Sequence, residues 1–382
     1  MKRSTQALAV LLLLLAAQSV HAFDLEQFKD PEDGQLDLSN WLLEKGGGFL
    51  PVPILITEPA LEGGLGAALT FFHKAKGEPL VPENENGAAR LPPSVSFGAG
   101  AYTGNDSWFL GGGHFASWKQ DRIRYIGAAG LASINLEFFV ADTPFKYNID
   151  GFFLLQDIQF RVKKTPLFLG AKYTLFRVDA TFEDPDVPGS AQLPPPGIDP
   201  ASATGRDAGL GLVAHYDSRD NLFAPTKGRE GYFIYTFFNE AVGGTFNYEK
   251  VEAKLFSYHP LGQKFILGAR LDAEMVNDGA PFYGLPYVDL RGVPLGRYQD
   301  EFAGVAELEG LWNIVGRWTL VGFGGAGFVD GDLPTSTGET VLAGGVGFRY
   351  LMARRLGLKT GIDLAWSEDT FAFYIAIGTG WR

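Results

Sequence analysis

The tightest constraint on the fold of this chain is a period of two. From Phe371 to Trp381, one face holds Phe371, Phe373, Ile375, Ile377, Thr379 and Trp381, and the other holds Ala372, Tyr374, Ala376, Gly378 and Gly380. The same alternation runs from Leu356 to Trp366, from Phe265 to Met275 and from Val251 to Leu255. Successive side chains of a strand point to opposite faces, so each stretch reads as a β-strand with one apolar side. The longer stretches run about 10–12 residues, the length of a tilted strand crossing a bilayer. Their second faces carry small residues and charges of both signs, which suit a confined lumen better than bulk water. Backbone groups in lipid must pair internally, so crossing strands have to close into a barrel. A soluble sandwich also alternates, but strand length and the makeup of the second face favour the membrane barrel.

A membrane barrel requires export. Lys2 and Arg3 precede an apolar run from Ala7 to Ala17, and Val20-His21-Ala22 is a small-x-small cleavage site. Residues 1–22 therefore read as a secretory signal peptide. The run is too short for a spanning helix, and no later stretch offers about 18 uncharged apolar residues. Residues 23–47 read as a short acidic periplasmic segment with a helical stretch around Leu38 to Lys45. Residues 48–382 read as an all-β, sixteen-stranded antiparallel transmembrane barrel of the outer membrane. Its expected strand centres are Pro53, Ala67, Phe97, Gly112, Gly127, Leu155, Tyr173, Leu212, Tyr235, Ala253, Ala269, Leu308, Phe323, Val346, Gly361 and Ile375. The even number suits a bacterial barrel. Long connections fall at about 74–93, 183–205, 277–301 and 331–339. The first of these lies on the periplasmic side, where turns are usually short.

Composition removes several function classes. The chain has no cysteine, which excludes disulfides, thiol nucleophiles and cysteine-based metal sites. A net charge of -12 argues against a nucleic-acid partner. After residue 22, the histidines His73, His114, His215 and His259 show no metal-ligand spacing. No G-x-S-x-G is present, and His114 and Ser117 lie on opposite strand faces, so a lipase-type site is not expected. Asp330-Gly331-Asp332 and Glu32-Asp33 read as a turn and a solvated linker rather than calcium ligands. The glycine-rich stretch at 322–327 lacks a following lysine and helix, so close packing inside a barrel explains it better than phosphate binding. No catalytic, cofactor or metal site is expected.

Three stretches carry a resemblance: Asp217-Ser218-Arg219-Asp220-Asn221 followed by Pro225-Thr226-Lys227-Gly228, then Leu290-Arg291-Gly292-Val293-Pro294-Leu295-Gly296-Arg297-Tyr298, then Gly324 to Asp330. Together they resemble the BamA/TamA outer-membrane assembly family, also called the bacterial surface antigen family. The resemblance covers 207–382 well and 48–206 by general pattern. It implies sixteen strands, with the Arg-Gly pair in a long extracellular loop after the eleventh, where Arg291 falls. It further implies that this loop folds into the lumen, where Arg291 and Gly292 meet acidic side chains from the twelfth and thirteenth strands: Glu307, Glu309 and Asp330. Glu309 and Asp330 match the family pattern best. An arginine in a confined polar space needs such carboxylates. Two departures stand out. Val293 replaces the usual aromatic after Arg-Gly, and the family's periplasmic transport-associated domains have no room in 23–47.

The resemblance also implies a sorting strand ending in an aromatic, here Phe371 to Trp381, and a lateral seam between first and last strands. Gly378 and Gly380 either weaken that seam or make room for the loop; both readings stand. Expected function is non-enzymatic insertion or translocation of proteins at the outer membrane. Expected partners are the lipid bilayer, unfolded outer-membrane or secreted client proteins, and a separate periplasmic partner. The alternative is a passive diffusion pore whose lumen charges Glu252, Lys254, Arg270, Asp272 and Glu274 set selectivity.

Overall fold

The computed structural model describes residues 28–39, 49–73, 94–140, 143–183, 191–192, 203–331, 339–368 and 370–381. The signal peptide and most of the helical stretch expected near Leu38 to Lys45 lie outside them. Sixteen strands follow one another: β1 (Phe49–Ile56), β2 (Gly64–His73), β3 (Ser94–Thr103), β4 (Trp108–Trp118), β5 (Ile123–Val140), β6 (Thr143–Arg161), β7 (Leu167–Glu183), β8 (Thr204–Asp217), β9 (Gly228–Phe238), β10 (Tyr248–Leu261), β11 (Phe265–Val276), β12 (Phe302–Val315), β13 (Trp318–Asp330), β14 (Glu339–Ala353), β15 (Leu358–Ser367) and β16 (Phe371–Ile377). A two-residue strand, Ala191–Gln192, extends the sheet at the end of β7. Every expected strand centre falls inside its strand. Each strand pairs antiparallel with the next in sequence. The result is a nearly closed sixteen-stranded barrel. Among the described residues no ladder joins β16 back to β1, and no helix is long and apolar enough to cross a membrane.

Alternation sorts the side chains as a bilayer requires. Leu212, Leu271, Leu308, Leu364 and Phe373 point outward and are exposed, forming the belt that lipid tails would cover. Trp108, Trp118, Trp318 and Trp366 stand exposed at strand ends, where aromatic girdles meet headgroups. Turns 119–122, 162–166, 262–264, 316–317 and 354–357 are short and share one end, which is the periplasmic end by that asymmetry. Because β2 pairs directly with β3, the 74–93 connection does belong to that end. The wall is uneven in height: β6 has 19 residues, β1 has 8 and β16 has 7.

The last strand differs from its sequence reading. It stops at Ile377 instead of continuing to Trp381. Gly378 has φ +84°, a left-handed conformation that favours glycine, and turns the tail inward. Trp381 is consequently buried against Phe256 and Tyr258 of β10, with ring centroids 5.8 and 5.4 Å away, rather than facing lipid in a sorting strand.

Candidate functional site

The loop between β11 and β12, residues 277–301, is a hairpin folded into the lumen. Val288 N–H donates to Tyr298 O (2.9 Å), Asp300 N–H to Pro286 O (3.1 Å) and Gln299 Nε2 to Phe282 O (2.7 Å). Its apolar residues line up on the barrel wall. Val288, Leu290 and Val293 pack against Ala303, Val305, Val329 and Val341. Nearer the outer mouth, Phe282 and Leu285 join Tyr147, Phe182, Phe238 and Tyr248. Room for the hairpin comes from the glycine-rich part of β13. A Cβ on Gly327 would lie 2.3 Å from Val288, and one on Gly325 would lie 3.0 Å from Leu290.

At the tip, Leu290 to Val293 forms a turn closed by Val293 N–H donating to Leu290 O (3.0 Å). Gly292 has φ +95° at its third position, where glycine is favoured, and its Cβ would press on Trp366 backbone at 3.2 Å. Its N–H donates to the Tyr374 hydroxyl of β16 (3.0 Å). This turn aims Arg291 at the wall. Its Nε donates to Glu307 Oε1 (2.8 Å), Nη2 lies 2.8 Å from Glu309 Oε2, and Nη1 donates to Asp363 Oδ2 (2.9 Å). The guanidinium also lies 3.6 Å from the Phe323 ring centroid. Arg349 of β14 grips the same Asp363 with two hydrogen bonds, of 2.6 and 2.8 Å. Arg270 of β11 reaches Asp272, the loop's Asp289 (3.0 Å) and Glu307 (3.7 Å). Burial works against the Arg291 charge, but Glu309, Glu307 and Asp363 outweigh it and hold its pKa above the ordinary arginine value. Arg291 therefore stays charged at any pH the cell meets.

The structure brings Glu307 and Glu309 to Arg291, but not Asp330. Phe328 and Asp330 share the outward, exposed parity of β13, while Phe323 and Val329 face in. Asp363 of β15 fills the third place instead. Gly380, just past β16, closes over the group: a Cβ there would fall 2.5 Å from Arg291 Nη1, 2.8 Å from Glu309 Oε2 and 2.9 Å from Arg349 Nη2. Gly378 and Gly380 therefore lie beyond the last strand; Gly378 N–H still donates to Lys359 O of β15 (2.7 Å), while Gly380 makes room for the loop.

Two other clusters had no clear sequence signal. At the periplasmic end, His215, Asp217 and Glu230 come within metal-binding reach of one another. Arginines already occupy their carboxylates: Arg124 donates to Asp217 (2.9 Å), and Arg219 pairs with both Asp217 and Glu230. That chemistry fits an ion-pair network better than a cation site. A serine does meet histidines, though not Ser117. Ser96 Oγ lies 2.7 Å from His73 Nε2 and 2.9 Å from His114 Nδ1. Both rings bind the hydroxyl itself, and among the described residues no carboxylate orients either ring, so the arrangement lacks the relay a nucleophilic serine needs.

A further unforeseen cluster lies in the N-terminal segment. Asp30, Asp33 and Asp37 surround Arg317 in the turn between β12 and β13, with Asp33 at 2.8 Å and Asp37 at 2.5 Å. Arg354 adds pairs to Asp30 (2.8 Å) and Glu32 (2.7 Å). Hydrogen bonding to Arg317 holds the Asp33 carboxyl below its usual range. Burial pushes Asp37 up, but bonds from Ser39, Arg354 N–H and Arg317 outweigh it and leave its pKa lowered. A depressed carboxyl pKa stabilises docking above the unfolded value of 3.8, and that contribution disappears as pH falls through the folded value. Acidification below that range should release the segment. Proteolysis between residues 28 and 39 should be slow at pH 7 and rapid with an acid protease near pH 3. Equal protection at both pH values would contradict this.

Comparison with known proteins agrees with this geometry. A family model described as the Omp85 superfamily domain matches residues 132–289, from within β5 into the lumen loop. Over those residues the chain is similar to the Omp85 superfamily domain. The match ends just before Arg291 and reaches well upstream of the 207–382 region where the resemblance was strongest. No curated protein sequence matches. Among solved structures, BamA from Haemophilus ducreyi lacking POTRA domains 1–3 is similar at TM-score 0.56 and 13% identity, over 87% of this chain and 70% of that one. CdiB from Escherichia coli is similar at TM-score 0.58 and 10% identity, over 86% of this chain and 61% of that one. CdiB from Acinetobacter baumannii gives TM-score 0.52 and 9% identity, over 86% and 59%. These likenesses are of fold: that of a sixteen-stranded barrel of the bacterial outer membrane.

Proposed function

We propose that this Omp85 barrel promotes insertion or translocation of proteins at the outer membrane, without catalysing a covalent reaction. The observation that carries the reading is the seam. β1 and β16 share no ladder among the described residues, and with 8 and 7 residues they are shorter than the 9–11 a bilayer-spanning strand usually needs. A short, unpaired edge thins the adjoining bilayer and offers backbone donors and acceptors to an incoming strand. The clients would be unfolded outer-membrane or secreted proteins, delivered by a separate periplasmic partner. The loop bearing Arg291 would lock into the lumen beside this seam, through Glu307, Glu309 and Asp363 on the wall and through Gly292 on Tyr374.

The pore reading is less favoured because the loop folds into the lumen and packs against its wall through two apolar clusters. The test is an assembly assay in liposomes, folding an unfolded outer-membrane protein with and without this barrel. Acceleration by the wild-type barrel that falls at least several-fold in Arg291→Ala is expected. No acceleration, together with steady ion conductance in planar bilayers, would replace insertion by passive diffusion.

A further inference from the structure

The acidic N-terminal segment plays no part in the insertion reading, yet its described part is firmly built. Residues 28–39 form a clip: Lys29 and Leu36 bridge antiparallel, and Asp37 N–H donates to Phe28 O (2.7 Å). Asp30, Asp33 and Asp37 also fold the clip on itself, accepting from the N–H groups of Glu32, Gln35 and Ser39. Arg317 sits inside it, only 3% exposed, and adds a bond from Nη1 to Leu36 O (3.0 Å).

The clip does not stop at one turn of the barrel. Tyr350 OH donates to Leu36 O (2.8 Å) and Leu38 N–H to Met352 O (2.8 Å), both on β14. Arg355 N–H in the next periplasmic turn donates to Ser39 Oγ (3.0 Å). The clip therefore straddles β12 to β14 and ends at the turn before β15. Nine residues later the chain becomes β1. Between that turn and β1 lie β15, β16 and the seam, a gap of about 10–15 Å at about 4.8 Å per strand. The chain from Ser39 to Phe49 therefore ties the two sides of the seam together covalently.

We infer that residues 28–39 are a clasp on the seam: they anchor the leading end of β1 to the wall on the β16 side, so that β1 and β16 part only within the reach of residues 40–48. This rests on the reading of the seam as the moving part. The ten Cα-to-Cα steps from Ser39 to Phe49 extend to about 35 Å at most. The clasp therefore permits an opening a few strands wide and sets its ceiling. Three carboxylates on one buried guanidinium make it redundant, so a single substitution leaves most of the grip. Releasing all three frees β1 to swing with its hairpin partner β2.

Hydrogen exchange read by mass spectrometry tests this on the full chain in lipid nanodiscs. The triple variant Asp30→Asn/Asp33→Asn/Asp37→Asn should expose 28–39 and raise exchange in β1 and β16 at least tenfold, with β4 to β8 unchanged. Because the chain has no cysteine of its own, adding Leu38→Cys and Met352→Cys to the triple variant gives a clean covalent clasp. Oxidised, it should restore slow exchange in β1 and β16; reductant should abolish the rescue. The inference is overturned if the triple variant frees 28–39 while β1 and β16 keep wild-type rates, or if the oxidised clasp fails to slow them. Insertion is tested separately in the liposome assay. Faster seam exchange with no assembly activity in any form would sink the insertion reading and leave the clasp standing.

Discussion

Arg291→Ala should lower the unfolding free energy of the barrel by about 3–5 kcal/mol, the cost of stripping one partner from a buried charge group. Arg291 is 8% exposed and is the shared partner of Glu307, Glu309 and Asp363, which are themselves buried. Removing it leaves two glutamates two residues apart on the inner face of β12, with Arg270 as a distant contact to Glu307 at 3.7 Å. Asp363 is less affected because Arg349 still holds both of its oxygens. The damage should therefore concentrate at β12 and in the loop, which loses the Arg291 anchor to that strand. Arg291→Lys should recover little, since a single ammonium cannot reproduce a planar fork aimed at three carboxylates. Urea titration of the barrel folded in vesicles, followed by heat-modifiable gel mobility, gives the stability. Proteolysis within 277–301 reports the loop. A stability within about 0.5 kcal/mol of wild type, the range of ordinary surface substitutions, with the loop still protected, would mean that apolar packing alone seats the hairpin.

Most of the fold was legible because a membrane barrel writes its pattern into every strand. Parity along Phe265–Met275 put Arg270, Asp272 and Glu274 on one face, and all three do face the lumen. The candidate site was only half legible. Glu307 and Glu309 were accessible from parity and from the resemblance together. Asp330 runs against the parity of its own strand, where Val329 faces in and its neighbours face out. Alternation along Leu356 to Trp366 puts Asp363 on the inner face of its strand, but nothing local says which inner carboxylate lies opposite a loop tip entering from β11. That depends on where the hairpin leans, and it leans toward the seam because β13 is hollowed by glycine. The docked clip of 28–39 was hidden for a similar reason. Its aspartates look like a solvated linker, and their partner Arg317 lies 280 residues from Asp37, in a two-residue turn.

The tail after β16 is where alternation misled, because Gly378 breaks the period within a stretch that reads as one strand. Gly380→Val tests what that break is for. Valine at this position would put its Cβ 2.5 Å from Arg291 Nη1, and its branches would meet Glu309 and Arg349 as well. These atoms end flexible side chains, but all three chains are held in one buried ion-pair cluster, so the valine is accommodated only by disturbing that cluster or by expelling the tail, and expulsion is expected. Overpacking of this kind costs about 1–3 kcal/mol. Expulsion would also pull Trp381 from Phe256 and Tyr258 and expose Gly268, whose missing side chain leaves space for the indole at 2.5 Å. The expected signal is a red shift of tryptophan emission in Gly380→Val that is absent when Trp381→Phe is added. Because tail and loop share Arg291, the double variant with Arg291→Ala should be less destabilised than the sum of the two, with a coupling of about 0.5–3 kcal/mol. Strict additivity, with an unshifted spectrum, would separate the tail from the loop and leave Gly380 as a spacer.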